Sequence, residues 1–258
     1  MEFENIRYRV EGRVAVITYD RQARRNALST PMYREVVAAV DQANADESVG
    51  AIVITHEGPV FSAGTDSKAP PEPKDPVTGI RPTVATLGMA NDTSWIHLMR
   101  RSKPSVAAVN GAAIGLGLTH ILPLDIRIGS ASSTYSFPFL ALGVMPEFGC
   151  TALLPRLVGF GRAMDILLTS QKLDAAEAQR IGLITRISPD ETLLSDAIAL
   201  AEQLASVPAL QMRLTRGMVY ENDSEADVNA YLTRERDAFI AMFRAMRAAA
   251  AEKAKSEA

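Results

Sequence analysis

The chain of 258 residues is 47% hydrophobic and 22% charged, with a formal net charge of −3, the proportions of a globular enzyme with no basic excess for nucleic acid. One cysteine, Cys150, excludes an intrachain disulfide, and three histidines scattered at 56, 97 and 120 argue against a transition-metal site. "MEFENIRYRVEGRV" has no apolar signal core and no 18-residue apolar run follows, so no membrane segment and a cytoplasmic location are expected.

"IRYRV" and "VAVITY", separated by Glu11-Gly12, read as a strand hairpin. Met32, Val36, Val37 and Val40 then recur at helical spacing in "PMYREVVAAVDQANA". Ser29 or Thr30 is the expected N-cap, with Pro31 at the first helical position. "GAIVIT" is a buried strand. Residues 69–83, "APPEPKDPVTGIRPT", carry five prolines, so they continue neither a helix nor a central strand; a surface insertion and a lid over a site are both open. Next come a helix near "VATLGMANDTSWIHLMRRS", the strand "PSVAAVN", a Gly-rich turn and a short helix. "DIRIGS" and "STYSF" read as strands, and helices are expected from about Phe148 to Thr169. From Ala175 the pattern is mostly helical. Strands alternating with helices predict an α/β fold.

Two stretches place backbone N–H groups at sharp turns after buried strands. In "GPVFSAGTDS" (58–67), Gly64 allows a backbone conformation closed to other residues, which lets the Thr65 N–H point into a cleft, and Asp66 stiffens the turn. In "VNGAAIGLGLTHILPLDI" (109–126) a strand runs through Gly111 and Gly115-Leu116-Gly117 into a short helix with free N–H groups in its first turn. Two N–H groups converging on one point make an oxyanion hole. A third stretch, "FPFLALGVMPEFG" (137–149), is apolar apart from Glu147. That acid either faces water from a turn or is retained for a reaction, and its neighbours Met145, Pro146 and Phe148 would raise its pKa.

In this order and spacing, "RRNALS", "VFSAGTD", "VNGAAIGLGL" and the block beginning "FPFLALGVMPEFGCTALLPRLVGFGRAMDILLT" resemble the crotonase superfamily, the enoyl-CoA hydratase and isomerase family, over nearly the whole chain. The resemblance implies an α/β crotonase-like spiral of ββα repeats over residues 1–195. A C-terminal helical region over 196–258 would then drive formation of a homotrimer or a dimer of trimers. It also implies an acyl-CoA thioester substrate, with no cofactor beyond its coenzyme A. The thioester oxygen would be held by the N–H groups of Thr65 and Leu116, which need no special side chains for that. "RRNALS" resembles the segment that meets the CoA adenine, with Arg25 either at the CoA phosphates or ribose or a plain surface arginine. The other implied substrate and CoA positions are Ala27, Ala63, Gly64, Asp66 and Gly115. Thr119, Pro138, Phe139 and Leu142 complete them.

The sequence departs from the family's hydratases at their two glutamates. Counting from Gly115 and back from Gly143 puts Thr119 and Phe139 at those positions, and neither side chain activates water near neutral pH. Glu147 instead resembles the lone acid of the family's Δ3,Δ2-enoyl-CoA isomerases, which shuttles a proton between C2 and C4. Other crotonase-type reactions (decarboxylation, dehalogenation, C–C cleavage, an atypical hydratase) and a non-catalytic acyl-CoA-binding oligomer stay open. His56 is expected in a loop. His97 is placed on a helix that could line the acyl pocket. His120 is expected to face away from the thioester, and Cys150 to serve in packing.

Overall fold

Alternating apolar and charged residues make Ile6–Glu11 (β1) an edge strand, with Ile6 buried and Arg7 and Arg9 in solvent. The next strand, Val14–Tyr19 (β2), is buried along its whole length. It pairs antiparallel with β1 and parallel with Ala51–His56 (β3). Between them lies Thr30–Ala45 (α1), whose N-cap is Ser29: its hydroxyl accepts the Met32 N–H, with Pro31 in the first turn.

This computed structural model describes residues 2–77, 79, 81–90 and 94–256, which divide into two units, Met1–Ala205 and Ser206–Ala258. The first unit continues through Val84–Gly88 (α2), Trp95–Arg101 (α3), Ser105–Val109 (β4), Ala112–Ile114 (β5) and Leu116–Thr119 (α4). Ile126–Ser130 (β6), Thr134–Ser136 (β7), Cys150–Val158 (α5), Phe160–Thr169 (α6) and Lys172–Asp174 (β8) follow. It ends with Ala175–Arg180 (α7), Arg186–Ser188 (β9) and Leu193–Ala205 (α8). One sheet has the order β1-β2-β3-β4-β6-β9, parallel from β2 onward; a smaller one has the order β5-β7-β8. The three-residue strands β5, β8 and β9 are too short to show a period in the sequence.

Because successive residues of a strand face opposite sides, β2, β3 and β4 feed two cores. Ile17, Ile52, Ile54 and Val109 join Met32, Val36 and Val40 of α1. Val16, Val53, Val106 and Ala108 join Leu193, Ala197, Leu200 and Ala201 of α8. The division between units therefore falls at 205/206 rather than 195/196: α8 is held to the sheet by its apolar face.

In the described part of 69–83, the Arg34 guanidinium lies 2.7 Å from the Glu72 carboxylate, and Arg81 donates to the Glu72 carbonyl. Positions 78 and 80 lie outside the described residues. The second unit is a helical pair, Ala209–Asn222 (α9) and Val228–Ser256 (α10). Arg234 ties the two together through Asn222 and Glu225. Leu214, Met218, Ala238, Phe239 and Met242 line a groove of about 470 Å³ within this pair. Among the described residues, no single helix is long and apolar enough to cross a membrane.

Candidate active site

The turn that carries Thr65 is built on Asn26. This residue is buried and left-handed, and its amide donates to the Glu57 and Val60 carbonyls and accepts the Arg21 N–H. Its own carbonyl accepts the buried Ser62 hydroxyl at 2.8 Å. Ala63 N–H donates to the Arg25 carbonyl, Leu28 N–H to the Gly64 carbonyl at 2.7 Å, and Asp66 N–H to the Leu28 carbonyl. In a trans peptide the N–H points opposite to the preceding C=O, and the chain has no cis bond among its described residues. With the Gly64 carbonyl turned to Leu28, the Thr65 N–H points the other way. Gly64 reaches this conformation at φ +93, which other residues rarely adopt.

On the opposite edge, Ser62 N–H donates to the Ala112 carbonyl and Ile114 N–H to the Ser62 carbonyl, so the Thr65 turn runs beside β5. A Cβ added to Gly64 would stand 3.6 Å from the Leu116 nitrogen. Gly115, at φ 52 and ψ −121, opens α4; its carbonyl points into the helix, accepting from Leu118 and Thr119. The Leu116 N–H therefore points out of the helix end. Among the described residues, neither the Thr65 nor the Leu116 N–H meets a protein acceptor. An added Cβ at Gly117 would stand 2.4 Å from both Cβ and Oγ of Ser62. Ser62 is pinned by its hydrogen bonds, so Gly117→Ala should destabilise the fold by about 1–3 kcal/mol, outweighing the ~1 kcal/mol gain in helix propensity. Urea denaturation measures the balance.

Glu147 lies near this turn, close to the Thr65 side chain. Half-burial raises its pKa above the ordinary 4.5, partly countered by the nearby Thr65 side chain. Its neighbour Met145 is largely exposed, whereas Phe148 is fully buried. Asp66 differs: although burial opposes ionisation, Arg21 at 2.7 Å and the Lys68 N–H hold its carboxyl below the usual range. It is a structural brace for the turn, as its place in "AGTD" suggests.

At the two positions counted for hydratase glutamates, Thr119 is fully buried and donates to the Leu116 carbonyl at 3.3 Å, and Phe139 is packed in the core. Pro138 is half-buried and Leu142 is 71% exposed, on a 3-10 turn over Leu140–Leu142. Arg25 is exposed and left-handed, while Ala27 is buried with its carbonyl accepting from Arg21. Leu116 and Thr65 carry more than their N–H groups: the Leu116 side chain is core, and the Thr65 side chain lies near Glu147. Asn26, Ser62 and Arg21 carry no local signal in the sequence, because polar side chains show their partners only after folding.

The histidines and the cysteine are accounted for. His97 is exposed and pairs with the N-cap Ser94 at 2.7 Å. His120 is fully buried, stacked on Trp95 and bonded to the Tyr19 hydroxyl, and burial pushes its pKa down to about 3. His56 ends β3 and is pushed down to about 4 by burial. Burial pushes the Cys150 thiol up to about 12. Among the described residues no group of three or more His, Cys, Asp or Glu could hold a metal ion.

The model of the family described as "Enoyl-CoA hydratase/isomerase" matches residues 9–256. The chain belongs to the enoyl-CoA hydratase/isomerase family. Its fold is accordingly the crotonase fold, its substrates are acyl-CoA thioesters, and the family needs no cofactor beyond the coenzyme A of the substrate. The chain is 37% identical over 214 residues to a protein of Rhizobium meliloti (strain 1021) named "Probable enoyl-CoA hydratase", covering 82% of this chain and 80% of that one. It is 34% identical over 212 residues to "4-chlorobenzoyl coenzyme A dehalogenase-2" of Arthrobacter sp, covering 82% and 76%. A Thermobifida fusca YX protein crystallised in complex with acetoacetyl-CoA superposes with a TM-score of 0.79 at 33% identity, covering 93% of this chain and 95% of that one.

Proposed function

We propose that this family member is a Δ3,Δ2-enoyl-CoA isomerase in which Glu147 is the single acid/base and the N–H groups of Thr65 and Leu116 form the oxyanion hole. The observation that carries this reading is the proximity of Glu147 to Thr65, whose side chain is near enough to lower the carboxyl's pKa. It puts one carboxylate beside one of the two donors, while Thr119 and Phe139 supply none. Glu147 takes a proton from C2 of a 3-enoyl-CoA, and the thioester oxygen becomes an enolate held by the two N–H groups. The same carboxyl returns that proton to C4, so the double bond moves from C3–C4 to C2–C3 with no water consumed. A raised pKa suits a group that is base and then acid in one turnover. Arg25 is proposed to meet the CoA phosphates or ribose, with Ala27 and Ala63 beside the nucleotide and acyl parts of the ligand.

Relatives named hydratases share the family's thioester chemistry, but adding water is read here as needing carboxylates at 119 and 139. Incubation with 3-enoyl-CoA should produce the conjugated 2-enoyl absorbance, and 2-enoyl-CoA should yield no 3-hydroxyacyl-CoA. The reverse pattern would overturn the assignment. The dehalogenase relative supports a second reading, displacement on a halogenated aroyl-CoA; halide release from 4-chlorobenzoyl-CoA without isomerase activity would favour it.

A homotrimer or dimer of trimers is also proposed. Its support is the exposed apolar row Leu232, Phe239, Phe243 and Met246 on α10, more than a lone helix pair leaves in water. Light scattering should give three or six times the 27.8 kDa chain mass; a monomer at micromolar concentration would refute it.

A further inference from the structure

Phe148 is a bulky residue at φ +55, a region that bulky side chains avoid unless the surroundings enforce it. Those surroundings are specific. Its ring is fully buried and meets Tyr33 of α1 edge-on at 6.0 Å and the His120 ring at 5.9 Å. Its N–H donates to the Met89 sulfur at 3.3 Å. The ring also occupies the space a side chain would fill at Gly88, the last residue of α2: a Cβ there would stand 1.9 Å from its Cζ. On the far side of the following residue, a Cβ at Gly149 would stand 2.5 Å from Ile96 of α3. The Glu147 carbonyl accepts the Cys150 N–H as α5 begins. The residue next to Glu147 is thus keyed into the end of α2, while Glu147 itself lies near Thr65.

We propose that Phe148 is a positioning residue and Gly88 its seat: the ring, locked over a missing side chain, sets where the Glu147 carboxylate stands above the thioester site. The inference rests on Glu147 being the acid/base. It goes further in assigning a task to α2, an element that supplies none of the site residues named above. A left-handed residue cannot slide along a helix or strand to absorb a shift, so displacement of the ring is passed to the adjoining peptide and to Glu147.

Gly88→Ala tests this by size. The added methyl should displace the ring and lower kcat for 3-enoyl-CoA by about 10- to 100-fold, the cost of misplacing a catalytic group by about 1 Å. The Kd for a non-reactive acyl-CoA should stay within about twofold, because the thioester donors are on other segments. Phe148→Leu alone should also lower kcat. Gly88→Ala/Phe148→Leu should recover most of the loss, since the smaller side chain makes room for the methyl. Circular dichroism melts establish that the variants are folded at the assay temperature. If Gly88→Ala does not fold, Met89→Leu, which removes the sulfur acceptor at a half-exposed position, provides the second arm and should lower kcat without changing Kd. Unchanged kcat in Gly88→Ala or in Met89→Leu, or a double variant no better than the worse single one, would overturn the inference. Glu147→Gln, assayed alongside, separates this from failure of the underlying reading: if that variant keeps wild-type turnover, Glu147 is not the acid/base.

Discussion

Glu147→Gln should lower turnover of a 3-enoyl-CoA by about 10²- to 10⁴-fold, the usual contribution of a positioned acid/base. The amide keeps the size of the carboxylate, so acyl-CoA affinity should barely change. In the wild type, turnover should fall on acidification at a pH above the ordinary glutamate range, because burial raises the Glu147 pKa. Stability should move the opposite way. A carboxyl with a higher pKa in the folded than in the unfolded chain makes its ionisation a cost to the folded state. That cost is absent below the unfolded pKa and fully present above the folded one. Glu147→Gln should therefore melt above wild type at neutral pH, and the gap should close as the pH falls through the ordinary glutamate range. Near-wild-type isomerase rates in this variant, with melting temperatures equal at all pH values, would return Glu147 to the status of a turn residue.

Leu116→Pro should abolish most activity where Leu116→Ala does not. Leu116 is the first residue of α4 and its N–H has no protein acceptor, a position at which proline is well tolerated in a helix. Proline deletes one of the two donors proposed to hold the enolate, and loss of such a donor costs about 10²- to 10³-fold in kcat. The side chain is buried, so truncation to alanine should cost about 2–5 kcal/mol of stability, and proline should share that loss. Comparing kcat of the two, each shown folded by circular dichroism, isolates the N–H. Equal losses would mean that the Leu116 side chain, rather than its amide, serves the reaction.

Much of the fold was legible because its signals are local and repeated. The apolar runs of β2, β3 and β4, the Ser29-Thr30-Pro31 helix start and the Gly-rich turns each announce themselves within a few residues. Thr65 and Leu116 were legible because a glycine precedes each, and a glycine's backbone freedom marks a sharp turn wherever it falls. The boundary after α8 was not, since the apolar face of a helix does not say which sheet it will meet. Nor did the sequence show what would hold the Asp66 carboxylate in its turn. Arg21, 45 residues from Asp66, commits that carboxylate to bracing a turn; no such cation holds Glu147 among the described interactions.

The sequence by itself determined the α/β class, the family, the two candidate donor turns and the absence of carboxylates at 119 and 139, because each is a matter of residue type at a short spacing. The tertiary structure alone decided that Thr65 lies near Glu147, 82 residues away in the chain (147 − 65), and that Gly64 approaches Leu116. It also decided that Phe148 is keyed into Gly88. The physical reason is that charge, burial and hydrogen bonding act through space over a few ångströms. The partner that raises or lowers a pKa, or fills the space beside a glycine, has no fixed distance along the chain.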